Sequence, residues 1–337
     1  MQKWNKDEIQ IPKLQRKFVW TQIRASKLIE SFLMGLPVPP VFFYQDRGTN
    51  KLLVVDGHQR LRSIVYFFAG EFGEPGELDS ADEEIVFSLT GLSEKSPYFK
   101  ATYAQLKDEH EAAFNKLNNS VLRSFVVKQI NPKDDTSIFE IFERLNTGGV
   151  VLQGQEVRNC IYEGELNNLL LDLNKYASWR TIFGHVHEDK RMRDVELILR
   201  FFALFHDLAS YEKPMKKFLN DFMRVNRRPS AKELQELKSL FSKTADAVLK
   251  YLGPKPFHVH GGLLNAAAYD SVFTAFAKNL SVVSKAHTSK TSVAQIAKRF
   301  KHLTQKDDAY LKLISSGTTD EDIVEKRIER AEKKLFG

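Results

Sequence analysis

The spacing of apolar and polar positions separates a mixed first part of the chain from a helical second part. Up to residue 150, short apolar runs bounded by turn residues predict strands at 41–44, 51–55, 85–89 and 124–130. Apolar positions three or four residues apart predict helices that begin after Thr21, near His58 and after Pro132. The residues Asp46–Asn50 predict a hairpin connection between the first two strands.

The sequence after Gly149 has a helical period in almost every segment. The predicted helices cover residues 155–162, 166–176, 191–208, 215–225, 231–252, 263–278, 293–303, 309–314 and 320–336. The pattern therefore predicts an α+β protein, with an α/β domain over residues 1–150 and an all-α helical domain over residues 151–337. No long flexible linker separates the two, so we expect them to pack closely and to share a site.

Candidate chemistry is concentrated between the strand that ends at Val55 and the helix that begins near His58. Gly57 would let a phosphate approach the backbone, and the first N–H groups of the helix would supply donors and partial positive charge. Arg60 could bind phosphate oxygens bidentately, while Asp56 could hold a metal ion or orient water. A structural reading remains open, in which Asp56 caps the helix and Arg60 is a solvated surface residue.

Charge is distributed unevenly along the chain. The 50 Lys/Arg and 43 Asp/Glu residues give a formal net charge of +7, which permits polyanion binding. Residues 1–62 carry eleven Lys/Arg and five Asp/Glu, whereas residues 63–122 carry four and eleven. The basic segment includes Gln15, which could present an amide to a base edge, and Arg16 and Lys17, which could bind phosphate. A polar surface loop would explain these three residues as well.

Several classes of protein are disfavoured by what the sequence lacks. The single cysteine, Cys160, excludes an internal disulfide framework and predicts a buried, inert thiol. Residues 1–20 have no signal-peptide core and no segment has the length of apolar sequence needed to cross a membrane, so we expect a cytoplasmic protein without a membrane partner. Neither a P-loop nor a Gly-x-Ser-x-Gly elbow occurs. The alternate pairs His185/His187 and His258/His260 lack a third ligand, which argues against a structural zinc site.

Two later segments carry further charged and polar residues. The run 142–149 predicts a helix that ends in a turn with a positive backbone dihedral angle, which asparagine and glycine adopt at low cost, and a plain helix stop would explain its glycines. On the helix predicted at 191–208, spacing predicts that Arg200 pairs with Glu196. Arg191 and Arg193, near the start of that helix, are candidates for reaching a ligand.

Four ordered blocks of the sequence resemble one known family. The segments IPKLQRKFVW (11–20), LIESFLMGLPVPPVFFY (28–44), VVDGHQRLRSI (54–64) and IFERLNTGGVVLQGQEVRN (141–159) are similar to the N-terminal domain of GmrSD-type restriction endonucleases. The signature of that family is written DGQQR, and here His58 stands in place of a glutamine. Where the family has an aromatic residue before Gln-Arg, this chain has Leu14.

The resemblance implies a ParB/sulfiredoxin-like fold for the N-terminal domain and a site built from several motifs. Asp56, His58 and Arg60 are then the expected catalytic residues, with Asp56 the expected Mg²⁺ ligand. The expected nucleotide- and phosphate-binding residues are Gly57, Gln59, Arg144, Asn146, Gly148 and Arg158, and the expected DNA-binding residues are Gln15, Arg16 and Lys17. A nucleoside triphosphate (NTP) and Mg²⁺ are the implied cofactors.

The function implied is that of a nucleotide-hydrolysing, DNA-binding subunit of a phage-defence, modification-dependent restriction system. The chain would correspond to a GmrS-like subunit without an HNH module. Its expected partners are modified phage DNA and a separate HNH-type nuclease subunit, and a homo-oligomer is left open. The alternative is a non-catalytic sensor of modified DNA or nucleotide that recruits the nuclease subunit.

Overall fold

The chain forms two compact units, Met1–Val151 and Leu152–Gly337. The computed structural model describes residues 8–11, 18, 20–46, 50–73, 86–131, 136–145, 153–258, 262–285 and 293–337. Strands occur in the first unit of this described part, and the second unit is helical. The predicted α+β class, with a small sheet followed by helices, is therefore confirmed.

A four-stranded mixed sheet lies in the first unit. Its strands are β1 (Ile9–Gln10), β2 (Val41–Gln45), β3 (Leu52–Asp56) and β4 (Ser124–Val127), in the order β1-β3-β2-β4. The strands β2 and β3 pair antiparallel, as the predicted hairpin requires, whereas β1 lies parallel to β3 and β4 parallel to β2.

The prediction of a strand at 85–89 is wrong, because the described residues of this segment are not part of the sheet. In the described part of that range, Val86 and Ser88 form only isolated bridges, to Glu71 and Thr102. The alternating residues Phe87 and Leu89 are fully buried in a helical core. The alternation of apolar and polar residues in this segment therefore arises because every second side chain is buried against helices. A neighbouring strand is not required.

Five helices are described in the first unit: α1 (Gln22–Met34), α2 (His58–Ala69), α3 (Tyr103–Glu109), α4 (Glu111–Asn118) and α5 (Thr136–Leu145). The predicted cap of α1 is confirmed, because the Thr21 side chain accepts from the Arg24 N–H, and the helix ends at Gly35 with φ 77°. The apolar faces of α1 and α2 and the segment 87–117 form one core.

The described helices of the second unit are α6 (Gly154–Ile161), α7 (Glu165–Asn174), α8 (Ala177–Phe183), α9 (Arg193–Asp207), α10 (Met215–Val225), α11 (Ala231–Leu252), α12 (Ala266–Lys278), α13 (Leu280–Lys285), α14 (Val293–Lys306), α15 (Asp308–Leu313) and α16 (Glu321–Phe336). The central one is α12, which packs against α9, α11 and α16 and is buried on nearly every side. No helix in the described ranges is both long enough and apolar enough to cross a bilayer.

Candidate functional site

The backbone turns from β3 into α2 through a single residue, Gly57. Its φ of 94° lies in the left-handed region, which is costly for residues with a Cβ atom. A Cβ at this position would lie 2.6 Å from Cγ1 of Val41 and 2.9 Å from Nη2 of Arg60. Both the backbone conformation and the packing of the turn therefore require glycine.

The N-cap position of α2 belongs to Gly57. Glycine has no side chain that could accept a hydrogen bond from the first turn of the helix. The structural reading in which Asp56 caps the helix is therefore wrong. A helix start of this kind retains the partial positive charge of its N-terminus, which favours anions.

Asp56 and Arg60 form an ion pair beside this helix start. The Arg60 Nη2 atom donates to Oδ2 of Asp56 at 2.7 Å and to the carbonyl oxygen of Pro40 at 3.0 Å. The Arg60 side chain is 17% exposed and that of Asp56 is 34% exposed, so Arg60 is not the solvated surface residue of the structural reading. The buried Nε of Arg60 has no hydrogen-bond partner among the residues that the structure describes.

His58 and Gln59 contact each other at the same helix start. The Gln59 Nε2 atom lies 2.9 Å from Nε2 of His58, and Oε1 of Gln59 accepts from the backbone N–H of Trp20 at 3.3 Å. Because the amide oxygen of Gln59 accepts from Trp20, its amide nitrogen is the group that faces the His58 ring. The structure thus brings four residues of the predicted motif together: Asp56, His58, Gln59 and Arg60.

The apolar stripe predicted for α2 lies along a cavity. Leu61, Ile64, Val65 and Phe68 are half-buried and line a cavity of about 470 Å³, whereas Tyr66 and Phe67 are buried in the core. The lining of this cavity does not include the Asp56–Arg60 pair. The motif therefore lies at the start of α2, outside the lining of the apolar cavity.

Several predicted site residues lie outside what the structure describes. These are Gln15, Arg16, Lys17, Asn146 and Gly148, together with the side chain of Arg144. Their predicted DNA-binding and phosphate-binding roles stay predictions. The carbonyl oxygen of Pro40 and the N–H of Trp20 were not predicted, because backbone groups contribute no residue-type signal to a sequence.

Arg158 does not have the environment that a phosphate-binding residue needs. It is 1% exposed in the second unit, where it donates to Gln155 at 2.7 Å, to Asn220 at 3.2 Å and to Glu196. Burial lowers the pKa of its guanidinium, against the opposing effect of the Glu196 carboxylate. The prediction that Arg158 binds phosphate is therefore corrected: its charge is satisfied inside the helical unit.

The predicted pairing of Arg200 with Glu196 is also wrong. Arg200 donates to Asp270 on α12, with Nε 3.0 Å from Oδ1, and Glu196 pairs with the buried Arg158 instead. Near the start of α9, Arg193 pairs with Asp189 at 2.7 Å. Long side chains reach past their own helix here, so spacing along one helix did not identify the partners.

The described residues do not contain three His, Cys, Asp or Glu side chains placed to hold a metal ion. Of the two histidine pairs, His260 lies outside the described residues. Cys160 is buried, as predicted, and burial raises the pKa of its thiol to about 12. A thiol of this kind is protonated and unreactive at neutral pH.

The first unit is thus an α+β unit whose candidate site is a strand–glycine–helix junction with an adjoining Asp–Arg pair. Residues 2–163 match the model of the GmrSD restriction endonuclease N-terminal domain family, so this part of the chain is similar to that family. The match spans just under half of the 337 residues and includes all four blocks on which the sequence prediction rested. This similarity implies a role in a restriction system. No curated protein and no solved structure matches the chain.

Proposed function

We propose that this chain is a nucleotide-hydrolysing, DNA-binding subunit of a phage-defence restriction system that acts on modified DNA. The observation that carries the proposal is the Asp56–Arg60 pair at the start of α2, where the N-cap is Gly57. A helix start attracts anions, and an arginine within its first turn can bind phosphate bidentately. The similarity of residues 2–163 to the GmrSD family supports the restriction context.

A nucleoside triphosphate with Mg²⁺ can bind here by an exchange of ionic partners. Arg60 would turn from Asp56 to the phosphate oxygens, and the freed Asp56 carboxylate would be the side chain that holds Mg²⁺. One aspartate suits this ion, because Mg²⁺ at nucleotide sites is usually held by one or two carboxylates together with the phosphates. Partly exposed ion pairs contribute about 1 kcal/mol or less, so opening this pair costs little.

In the hydrolysis that follows, Arg60 and Asp56 would have different roles, the first toward phosphate and the second toward Mg²⁺. A water oxygen forms a bond to the terminal phosphorus, and the bond from that phosphorus to the bridging oxygen breaks. The products are a nucleoside diphosphate, inorganic phosphate that keeps one proton of the water, and a second proton that is released to solvent. Arg60 and the positive end of the α2 dipole would stabilise the charge on the phosphate oxygens, and Mg²⁺ would supply further charge neutralisation when bound. His58, at the first position of α2, contacts the bound phosphates.

DNA binding is assigned to the basic first segment. Residues 1–62 carry eleven Lys/Arg against five Asp/Glu, and Gln15, Arg16 and Lys17 are the proposed contacts. Cation contacts to phosphates position a protein on DNA without reading its sequence. Cleavage is assigned to a separate HNH-type subunit.

A second candidate function is that of a sensor, which binds nucleotide or modified DNA and recruits the nuclease subunit without turnover. The observation that favours it is that Asp56 already accepts from Arg60 and so is not free to orient water. Binding that opens the pair would change the helix start, and such a change can signal to a partner without chemistry.

The test is phosphate release from NTP in the presence of Mg²⁺, with and without DNA, by wild type, Asp56→Asn and Arg60→Gln. Loss of a charge-stabilising group at a phosphoryl-transfer site costs about a hundredfold or more in turnover, and we expect that loss in both variants. The matched control is Asp322→Asn, which removes an exposed ion pair to Lys326 of the same spacing in the second unit.

The control variant should keep wild-type turnover. If Asp56→Asn or Arg60→Gln keeps wild-type turnover and an unchanged circular dichroism spectrum, the assignment of the catalytic site is wrong. Tight, Arg60-dependent nucleotide binding without phosphate release would instead support the sensor.

A further inference from the structure

The strand β4 is the last in the sheet order, so its outer edge has no partner strand among the described residues. Exposed edge strands pair readily with other chains, and proteins usually protect them with charges, proline or a bulge within the strand. The four residues of β4, Ser124–Val127, include none of these charges or prolines. Within the described part of the chain, this edge is therefore open to strand addition.

Apolar side chains are exposed on both sides of β4. Phe125 is 54% exposed and stacks on Phe42, with ring centroids 5.0 Å apart, and Val126 is 51% exposed. Successive side chains of a strand point to opposite faces of the sheet, so these two residues lie on different faces. A partner packed on one face would cover only one of them, whereas an added strand covers both.

The outward backbone groups of β4 can be identified from its pairing with β2. The Val41 N–H donates to the carbonyl of Arg123 at 3.0 Å, so that carbonyl faces β2. Backbone groups alternate in direction along a strand, so those of Phe125 face β2, and those of Ser124 and Val126 face outward. An added strand would bond to the N–H and C=O groups of these two residues.

Two exposed cations flank the apolar residues. Arg123 and Lys128 lie just before and just after β4, five residues apart, which is about 17 Å of extended chain. Neither forms an ion pair with any residue that the structure describes. If two copies of β4 paired antiparallel, the seam would hold four cations, Arg123 and Lys128 from each copy, and the flanking residues 120–130 contain no carboxylate to balance them.

We propose that the β4 edge accepts an extended segment of a partner protein, with alternating apolar residues and an Asp or Glu at each end. The carboxylates of that segment are about five residues apart, to match Arg123 and Lys128. Main-chain hydrogen bonds to Ser124 and Val126 supply affinity, and the two ion pairs supply selectivity. The charge arrangement makes this occupant more favourable than a second copy of the chain.

The test uses fluorescein-labelled hexapeptides, measured by fluorescence anisotropy against the full chain. The probe is Glu-Thr-Val-Thr-Val-Glu, and the matched control replaces both terminal glutamates by lysine. The two glutamates of the probe attract Arg123 and Lys128, whereas the two lysines of the control repel them. The acidic peptide should therefore bind tighter than the control by about tenfold or more. In the variant Arg123→Glu/Lys128→Glu, the preference should reverse.

Val126→Pro tests the backbone part of the proposal. The Val126 N–H faces outward, so proline there removes no bond to β2, yet it should lower the affinity of the acidic peptide about tenfold. Val126→Thr keeps the N–H and should bind within about threefold of wild type. If Val126→Pro does not fold, the charge-reversed variant, which changes no backbone group, decides the question.

Three results would overturn the proposal. They are no binding of the acidic peptide, equal binding of the acidic and lysine-ended peptides, and unchanged binding by folded Val126→Pro. A dimer of wild type in sedimentation that Val126→Pro abolishes would show that the occupant is a second copy instead.

Discussion

At the scale of single residues, Gly57 is the position where the site depends most on the absence of a side chain. Gly57→Ala would place a Cβ 2.6 Å from Val41 and force it into a left-handed backbone conformation. Gly70 has a similar φ of 87°, but a Cβ atom added there would meet no atom within 4 Å, so Gly70→Ala isolates the backbone cost. Strain of this kind costs roughly 1–3 kcal/mol, and we expect Gly57→Ala to lose more stability than Gly70→Ala.

Chemical denaturation of the two variants measures this difference. Equal losses would mean that Val41 moves aside without cost and that the turn is less tightly packed than its distances indicate.

The sequence was informative about which residues meet at this turn and less so about how they are bonded. The apolar run that stops at Asp56 and the helical period after His58 predicted the strand–turn–helix junction. The Asp56–Arg60 bond was not predicted, because it depends on the direction that the backbone takes at Gly57. The Pro40 carbonyl, twenty residues away in sequence, came to Arg60 through the pairing of β2 with β3.

At the scale of elements, long and strongly periodic helices were predicted well and short ones were missed. The bounds of α10 and α11 agree with the predicted ranges 215–225 and 231–252. By contrast, α3 buries a single leucine, and α4 buries only Ala113 and Leu117, so their apolar pattern is too sparse to show a period. Short elements of this kind are stabilised by tertiary packing, which a sequence pattern does not contain.

The element-scale prediction concerns Asp307, which joins α15 to α16. Its carboxylate caps α15 by accepting from the Tyr310 N–H and also accepts from Arg330 at 2.9 Å. Burial opposes ionisation, but the hydrogen bonds from Arg330 and Tyr310 outweigh it and hold the pKa of Asp307 below its ordinary value. Asp307→Asn keeps a capping oxygen and loses the charge, which should cost about 1–2 kcal/mol at neutral pH.

The pH dependence of that loss has a definite sign. Because the folded-state pKa is the lower one, the stabilisation is fully present above the unfolded-state pKa of about 3.9 and disappears as pH falls through the folded-state value. The difference in unfolding free energy between wild type and Asp307→Asn should therefore shrink below about pH 4. A difference that stays constant from neutral to acid pH would contradict the ion-pair account.

At the scale of the whole molecule, the sequence predicted a sheet-containing part followed by an all-helical part, but not the polar core of the latter. Asp270 on α12 is fully buried between Arg200 of α9 and Arg327 of α16. Asp270 is the one carboxylate of the helix Ala266–Lys278, and its partners are 57 and 70 residues away. Such long-range ion pairs depend on how helices pack, so one sequence does not reveal them.

The prediction at this scale is that Asp270→Asn destabilises the second unit strongly. It would leave two buried guanidinium groups without a countercharge, and losing one partner of a buried ionic group costs about 3–5 kcal/mol. Asp322→Asn, at an exposed pair on α16, should leave stability close to that of wild type, because solvent screens such a pair. Thermal and urea unfolding compare the two variants, and similar small losses in both would show that the triad contributes little.

The central claim is that nucleotide and Mg²⁺ open the Asp56–Arg60 pair by exchanging its partners. The most direct measurement is NTP affinity, by calorimetry, of wild type and Asp56→Asn with and without Mg²⁺. Without Mg²⁺, Asp56→Asn should bind NTP more tightly than wild type, because Arg60 no longer has to leave a carboxylate. Adding Mg²⁺ should strengthen binding to wild type and have much less effect on the variant. Equal affinities of the two proteins under both conditions would contradict the exchange.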